Sequence, residues 1–392
     1  MTIRVILHQQ ALAKYRVPVF RELAARAGID LTVIHGRDVM IDSVPPDGFK
    51  TEPSPIVRTR VGLYIDRAVL RSARSGRADV LVIPWLAWNI GLLPALQAAR
   101  RQGVGTVVWG HGFSKMENPL RGWFRRRVGR GADAWLLYNE TGAERLRTGF
   151  GFPPHRVFTA RNALDVREAA QAGKAWRKDP HGLASFRARH GLGDGPVLLF
   201  VSRLLEENRA DLLLRAAATL RPKFPGLRVA IIGKGPAGDG LRSLSESLGL
   251  GDTLVMPGAI YDESELAPWF VASRAMVYPN NMGLTILHAF AYGLPVITGD
   301  RNELHGPEID ALVHERNGLR FPHNDLATLT NTIERVLRDD DLHGRLADAA
   351  AWTVDPANPD GFSVERMVDG MVAAIECAHE RARHRRAGGS SS

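Results

Sequence analysis

A chain of 392 residues, 45% of them hydrophobic, is long enough for two ordinary domains, each with its own core. Its single cysteine, Cys377, excludes an internal disulfide framework and predicts a reducing compartment. The net charge of +9 is matched by two acid-free clusters, Arg121, Arg125, Arg126, Arg127 and Arg130, then Arg381, Arg383, Arg385 and Arg386. Such patches point to an anionic partner: membrane, nucleic acid or acidic polymer.

The chain opens straight into a strand from Arg4, which predicts no signal peptide and a cytoplasmic protein. Strands are predicted at 4–8, 31–35, 80–84, 106–110, 134–138 and 157–159, with amphipathic helices at 17–27, 92–101 and 140–148. Only 81–99 resembles a membrane span. Pro84, Asn89 and Pro94 interrupt it, so it reads as a buried strand and a helix. The stretch 37–60, rich in Pro, Asp and Gly, reads as a long connection, a lid or acceptor loop. Two expectations compete for 119–130. Leu120, Trp123, Phe124 and Val128 share one helical face, which either enters the core or lies on anionic lipid at the inner face of a membrane.

Polarity rises after Asp165, and 166–195 is expected to be a linker between a first domain at 1–165 and a second at 196–355. Second-domain strands are predicted at 197–201, 228–232, 253–257, 275–278, 296–298 and 318–321. Helices are expected over 356–382, returning to the first domain, with a disordered tail at 383–392. Alternation of this kind predicts an α/β protein of two Rossmann-like, doubly wound domains.

The densest chemistry lies in 278–297. A strand ends at Tyr278 and a polar turn holds Asn280 and Asn281. Gly283, Leu284 and Thr285 then open a helix that carries His288 and stops at Gly293. A helix start with a glycine for close approach suits a phosphate. Arg203 follows the first strand of the second domain, with Asn208 and Arg209 close behind. Gly233, Gly235 and Gly238 formally match a dinucleotide-binding pattern, but Pro236 sits inside the turn and the unit lies mid-chain. Asp339, Asp340 and Asp341 follow an amphipathic helix and read as a solvated connection, not a metal motif.

These motifs resemble family 4 of the retaining glycosyltransferases, which have the GT-B fold of two domains facing a central cleft. The resemblance is densest over 197–322 and thinner over 104–165. The family's donor motif carries two glutamates with seven residues between them. Asn280 and His288 stand in those places, in a frame of Gly283, Leu284, Leu287, Ala289, Gly293 and Pro295 that fits a branch of the family. The resemblance implies that Arg203 holds a donor diphosphate, with Asn208 at the usual lysine position and Arg209 a neighbour able to replace it. It makes Gly233 and Gly235 a tight turn beside the nucleotide, and places Asn280, Asn281, Gly283, Leu284, Thr285, His288 and Glu308 around the donor. His111, after a first-domain strand, would touch the transferred sugar; Asn162 would be structural.

The implied reaction is retaining transfer from a UDP- or GDP-sugar to a lipid-linked or polysaccharide acceptor. It needs no cofactor or metal, and no carboxylate nucleophile if the acceptor hydroxyl attacks from the front face. The pathways it fits are exopolysaccharide, O-antigen and glycolipid assembly. Two rivals stand against it. One is a catalytically weak, glycosyltransferase-like scaffold, which the missing glutamates and lysine would explain. The other is a nucleic-acid binder using the arginines, which the orderly α/β pattern argues against, so no nucleic-acid partner is expected.

Overall fold

The computed structural model describes residues 2–36, 44–54, 57–58, 64–86, 89, 91–112 and 119–388. The chain divides into two units, Met1–Asp165 with Val364–Ser392, and Val166–Ser363.

In the first unit β1 (Ile3–Gln9) leads through α1 (Val17–Ala25) to β2 (Ile29–His35) and β3 (Lys50–Pro53). A short antiparallel pair, β4 (Val57–Arg58) with β5 (Tyr64–Ile65), precedes α2 (Arg67–Arg74). Then come β6 (Val80–Pro84), α3 (Leu92–Arg101), β7 (Gly105–Gly110), α4 (Pro119–Gly129), β8 (Ala134–Leu137), α5 (Glu140–Glu144) and β9 (Val157–Thr159). Among the described residues the parallel sheet has the order β3-β2-β1-β6-β7-β8-β9. Strands covered on both faces read as unbroken apolar runs, as the buried Val80, Leu81, Val82 and Ile83 do.

The second unit starts with α6 (Arg167–Arg177) and α7 (Pro180–Arg189), where a linker was expected. The reason is local: α6 buries only Ala169 and Gly173, so it shows no apolar stripe, while Phe186 of α7 packs edge-on against Trp269. The alternation continues with β10 (Val197–Val201), α8 (Ala210–Leu220), β11 (Arg228–Ile232), α9 (Gly238–Ser247), β12 (Leu254–Gly258), α10 (Glu263–Val271), β13 (Ala275–Val277) and α11 (Thr285–Ala291). It closes with β14 (Val296–Gly299), β15 (Gly318–Phe321), α12 (Leu326–Arg338) and α13 (Asp340–Val354). The second sheet is also parallel, in the order β12-β11-β10-β13-β14-β15. Asp339 accepts from the Leu342 N–H and caps α13, so the aspartate run is a helix connection.

The last helix, α14 (Val364–Gly388), belongs to the first unit. Its Met367, Met371, Ile375 and Ala378 join Leu7, Phe20, Leu23, Val33 and Val107 in one core, while Ile83, Leu96, Trp135, Leu137 and Phe152 fill the other face of the sheet. The tail expected from 383 is therefore helical to 388, and 389–392 lie outside the described residues. Part of the second arginine cluster is engaged within the fold. Arg385 forks onto the buried Asp133 and Arg386 donates to the Gly103 carbonyl, so both guanidinia hold α14 on its sheet. Of the proposed lid, 37–43, 55–56 and 59–60 lie outside the described residues; 50–53 is the edge strand β3. No helix among the described residues is long and apolar enough to cross a membrane.

Candidate functional site

In the second sheet the strand order reverses between β10 and β13, and the loops leaving those two strands form a crevice at their C-terminal ends. A doubly wound sheet binds its ligand at such a switch point. The loop after β10 carries Ser202 to Arg209; the loop after β13 carries Tyr278 to Leu284.

Arg203 is exposed at the head of the first loop. Asn208 is not: it is buried, and its Nδ2 donates to the Arg203 carbonyl at 2.7 Å and to Ser202 Oγ at 3.2 Å. Its part is to fold the loop that presents Arg203. Arg209 sits in the left-handed region, with φ at 55°, and its fork is occupied by Asp211 at 2.9 and 3.1 Å. The hydrogen bond to Asp211 holds that guanidinium above its ordinary value.

The glycine turn after β11 lies directly against this loop. Leu204 N–H donates to the Lys234 carbonyl at 3.0 Å, and Gly233 N–H to the Gly258 carbonyl at 2.8 Å. A Cβ on Gly233 would overlap the Ser202 carbonyl oxygen, and one on Gly235 would overlap that of Leu204. Both glycines are thus required by backbone packing beside Arg203. Lys234, exposed at the same turn, was not singled out in the sequence, because a lysine in a glycine loop has no distinguishing pattern.

Across the crevice, Asn280 Nδ2 donates to the Glu207 carbonyl at 2.8 Å. Asn281 Nδ2 donates to Glu207 Oε1 at 2.8 Å and to Asn208 Oδ1 at 3.0 Å. Asn281 is left-handed, with φ at 59°, a conformation asparagine tolerates. These amides therefore lace the two loops together. Asn280 Oδ1 is left buried without a hydrogen-bond partner.

Gly283 leads into α11, with Leu284 at its N-cap and Thr285 its first residue, and no side chain caps it. The Met282 carbonyl accepts from Gly306 N–H at 2.7 Å, and its N–H donates to His305 Nδ1 at 3.2 Å. Glu308 is buried behind this contact. Its Oε2 lies 3.8 Å from where a Cβ on Gly283 would stand. His288, one turn into α11, faces α10: Nε2–H donates to Glu263 at 2.8 and 3.0 Å. Tyr292 also donates to Glu263. Burial acts to raise the Glu263 carboxyl, but the hydrogen bonds from His288 and Tyr292 win and hold it below its ordinary value. Glu263 escaped the sequence reading because acids in a first helical turn are ordinary.

In the first unit, His111 is exposed just past β7, its ring 4.7 Å from that of Tyr138. Residues 113–118, which follow it in sequence, lie outside the described residues. Asn162 is buried, and its N–H donates to the Tyr138 carbonyl at 2.9 Å. On α4 the apolar face is split: Val128 is buried, whereas Trp123 and Phe124 are 58% and 53% exposed. Arg125 is buried, while Arg127 and Arg130 are exposed.

Residues 184–352 match the family model described as Glycosyl transferases group 1. The D-inositol 3-phosphate glycosyltransferase of Frankia alni is 32% identical over 292 residues, covering 68% of this chain and 67% of that protein. A GDP-mannose-dependent alpha-(1-6)-phosphatidylinositol monomannoside mannosyltransferase of Mycolicibacterium smegmatis is 26% identical over 330 residues, covering 82% and 78%. Among solved structures, Anabaena HepE in complex with UDP is similar at a TM-score of 0.69 and 14% identity, over 96% of this chain and 100% of that one. The chain belongs to the group 1 glycosyltransferases and is an enzyme of that family with the GT-B fold.

Proposed function

We propose that the protein is a retaining glycosyltransferase that moves a sugar from a UDP- or GDP-sugar to a lipid-linked or polysaccharide acceptor. The observation that carries this is the switch-point crevice, where exposed Arg203 stands beside a glycine turn that only glycine can make. A guanidinium there pairs bidentately with phosphate oxygens. The reading is supported by a relative named for GDP-mannose and a structural neighbour that holds UDP.

In the transfer, the bond from the anomeric carbon to the diphosphate oxygen breaks and the acceptor oxygen takes its place. The acceptor proton leaves with the diphosphate. Charge collects on the leaving diphosphate, so Arg203 acts most strongly in the transition state. Gly283, Leu284 and Thr285 are assigned to the phosphates, and Glu308 to the rear of the donor pocket. His111 is assigned to hydroxyls of the sugar substrates. The exposed Trp123 and Phe124, among arginines, are assigned to an anionic membrane surface, where a lipid-linked acceptor would reside. Such an acceptor fits glycolipid, O-antigen or exopolysaccharide assembly.

Calorimetry with UDP, GDP and their sugar conjugates tests the reading, wild type against Arg203→Ala. Binding that the variant loses at least tenfold is expected. No binding of any nucleotide by the wild type would overturn it.

A further inference from the structure

We infer that Glu263, held by His288 and Tyr292, is a built acceptor for the ribose diol of the donor's nucleoside diphosphate. The inference rests on the nucleotide-sugar reading above and adds a residue to its site. α10 and α11 both leave the C-terminal edge of the second sheet, and the Glu263–His288 bond joins their first turns. β12 ends at Gly258, whose carbonyl accepts from Gly233 of the glycine turn. Glu263 opens the next helix, so the carboxylate and the Arg203 loop lie at the same C-terminal edge of the sheet, on either side of the glycine turn in strand order.

The carboxylate is preset. Its side chain is 19% exposed, reachable from solvent yet mostly enclosed. Tyr292 is fixed in turn: its ring stacks on Phe270 at 4.7 Å and 16°, and its carbonyl accepts from Arg177. Oε1 takes hydrogen bonds from His288 and Tyr292, whereas Oε2 takes only the longer His288 contact. A carboxylate has about four lone-pair sites, so Oε2 retains acceptor capacity. The carboxylate's ion-pair partner is His288, at 2.8 Å, and among the described residues no Lys or Arg pairs with Glu263 to occupy Oε2. An acidic side chain at a strand end is how doubly wound sheets read a ribose hydroxyl. His288 is then a positioning residue for that carboxylate.

The test compares UDP and GDP with their 2′-deoxy and 3′-deoxy forms by calorimetry on the full chain. Wild type should prefer the ribonucleotide by about tenfold to a hundredfold, the worth of hydrogen bonds to a charged group. Glu263→Gln should still bind the deoxy form while that preference collapses, and Tyr292→Phe should reduce it part-way. A role confined to clamping α10 to α11 would lower the unfolding midpoint and leave the ribo-to-deoxy ratio unchanged, which would overturn the inference. Equal binding of ribo and deoxy forms by the wild type would overturn it without any variant. Failure of the wild type to bind any nucleotide would instead overturn the nucleotide-sugar reading itself.

Discussion

Ser202 Oγ and Tyr278 Oη lie 2.7 Å apart, one just past β10 and the other just past β13. That bond bridges the two strands between which the sheet reverses its order. Tyr278 is buried, and burial pushes its hydroxyl up, so the group is a neutral donor or acceptor. Tyr278→Phe should cost about 1 kcal/mol, the net worth of one such bond. Urea unfolding would read this as a lower midpoint with unchanged slope. An unchanged midpoint would mean the bridge adds nothing to the fold.

Two glycines of the same segment should respond in opposite ways. Gly233 has φ at 148° and no room for a Cβ, so Gly233→Ala should displace the Arg203 loop and weaken nucleotide binding at least tenfold. Gly240, inside α9, has nothing within 4 Å of a Cβ position. Gly240→Ala should stabilise by roughly 0.5–1 kcal/mol, because alanine loses less entropy in a helix. Thermal melts and nucleotide titrations of the pair would separate the effects. A silent Gly233→Ala would contradict the packing described.

Acid should destabilise the first unit through His8. The ring is buried at the end of β1, and burial pushes it down to about 4 from 6.5. The Asp66 carboxylate, 3.7 Å from Nδ1, is near enough to pair with a charged ring. Burial raises the Asp66 carboxyl too, however, and for the His8 ring burial outweighs the attraction of nearby acids, so the neutral ring is favoured. With the folded value below the unfolded one, the unfolded chain takes up a proton first as pH falls. Stability is full above about 6.5 and drains toward about 4, by up to roughly 3 kcal/mol. Unfolding free energies at pH near 7 and near 4.5 should differ less in His8→Gln than in wild type. Equal losses would place the acid sensitivity elsewhere.

Lipid docking through α4 predicts binding to anionic phosphatidylglycerol vesicles that weakens with salt. Replacing Trp123 and Phe124 together by serine should reduce co-sedimentation several-fold without lowering the unfolding midpoint, since both rings are exposed. Undiminished binding by the double variant would remove α4 as the contact.

The buried strands were legible because each is an apolar run bounded by turn residues, as in Val197–Val201. β3 was not, because Lys50, Thr51, Glu52 and Pro53 form a polar edge with no such run. α6 and α7 passed for a linker because few of their side chains are buried. In the site, Arg203 and the glycines stood out through their resemblance to the family's motifs after the corresponding strands, not through their position alone. The partners of Asn281 and His288 did not, since each is set by a loop or helix remote in sequence. Glu263 lies 25 residues before His288, and only the fold brings the two together.

The placement of α14 sets an order of events during synthesis. Residues 166–363 are complete, and able to close their own sheet, while the ribosome still holds the last helix. The first unit has by then made all its strands but lacks Met367, Met371, Ile375 and Ala378 from its core. Of these two units, the one translated first is therefore the one that finishes later. A premature stop shortly after 363 would leave the strands β7, β8 and β9 with one greasy face open, a substrate for chaperones and proteases even though the later unit is intact.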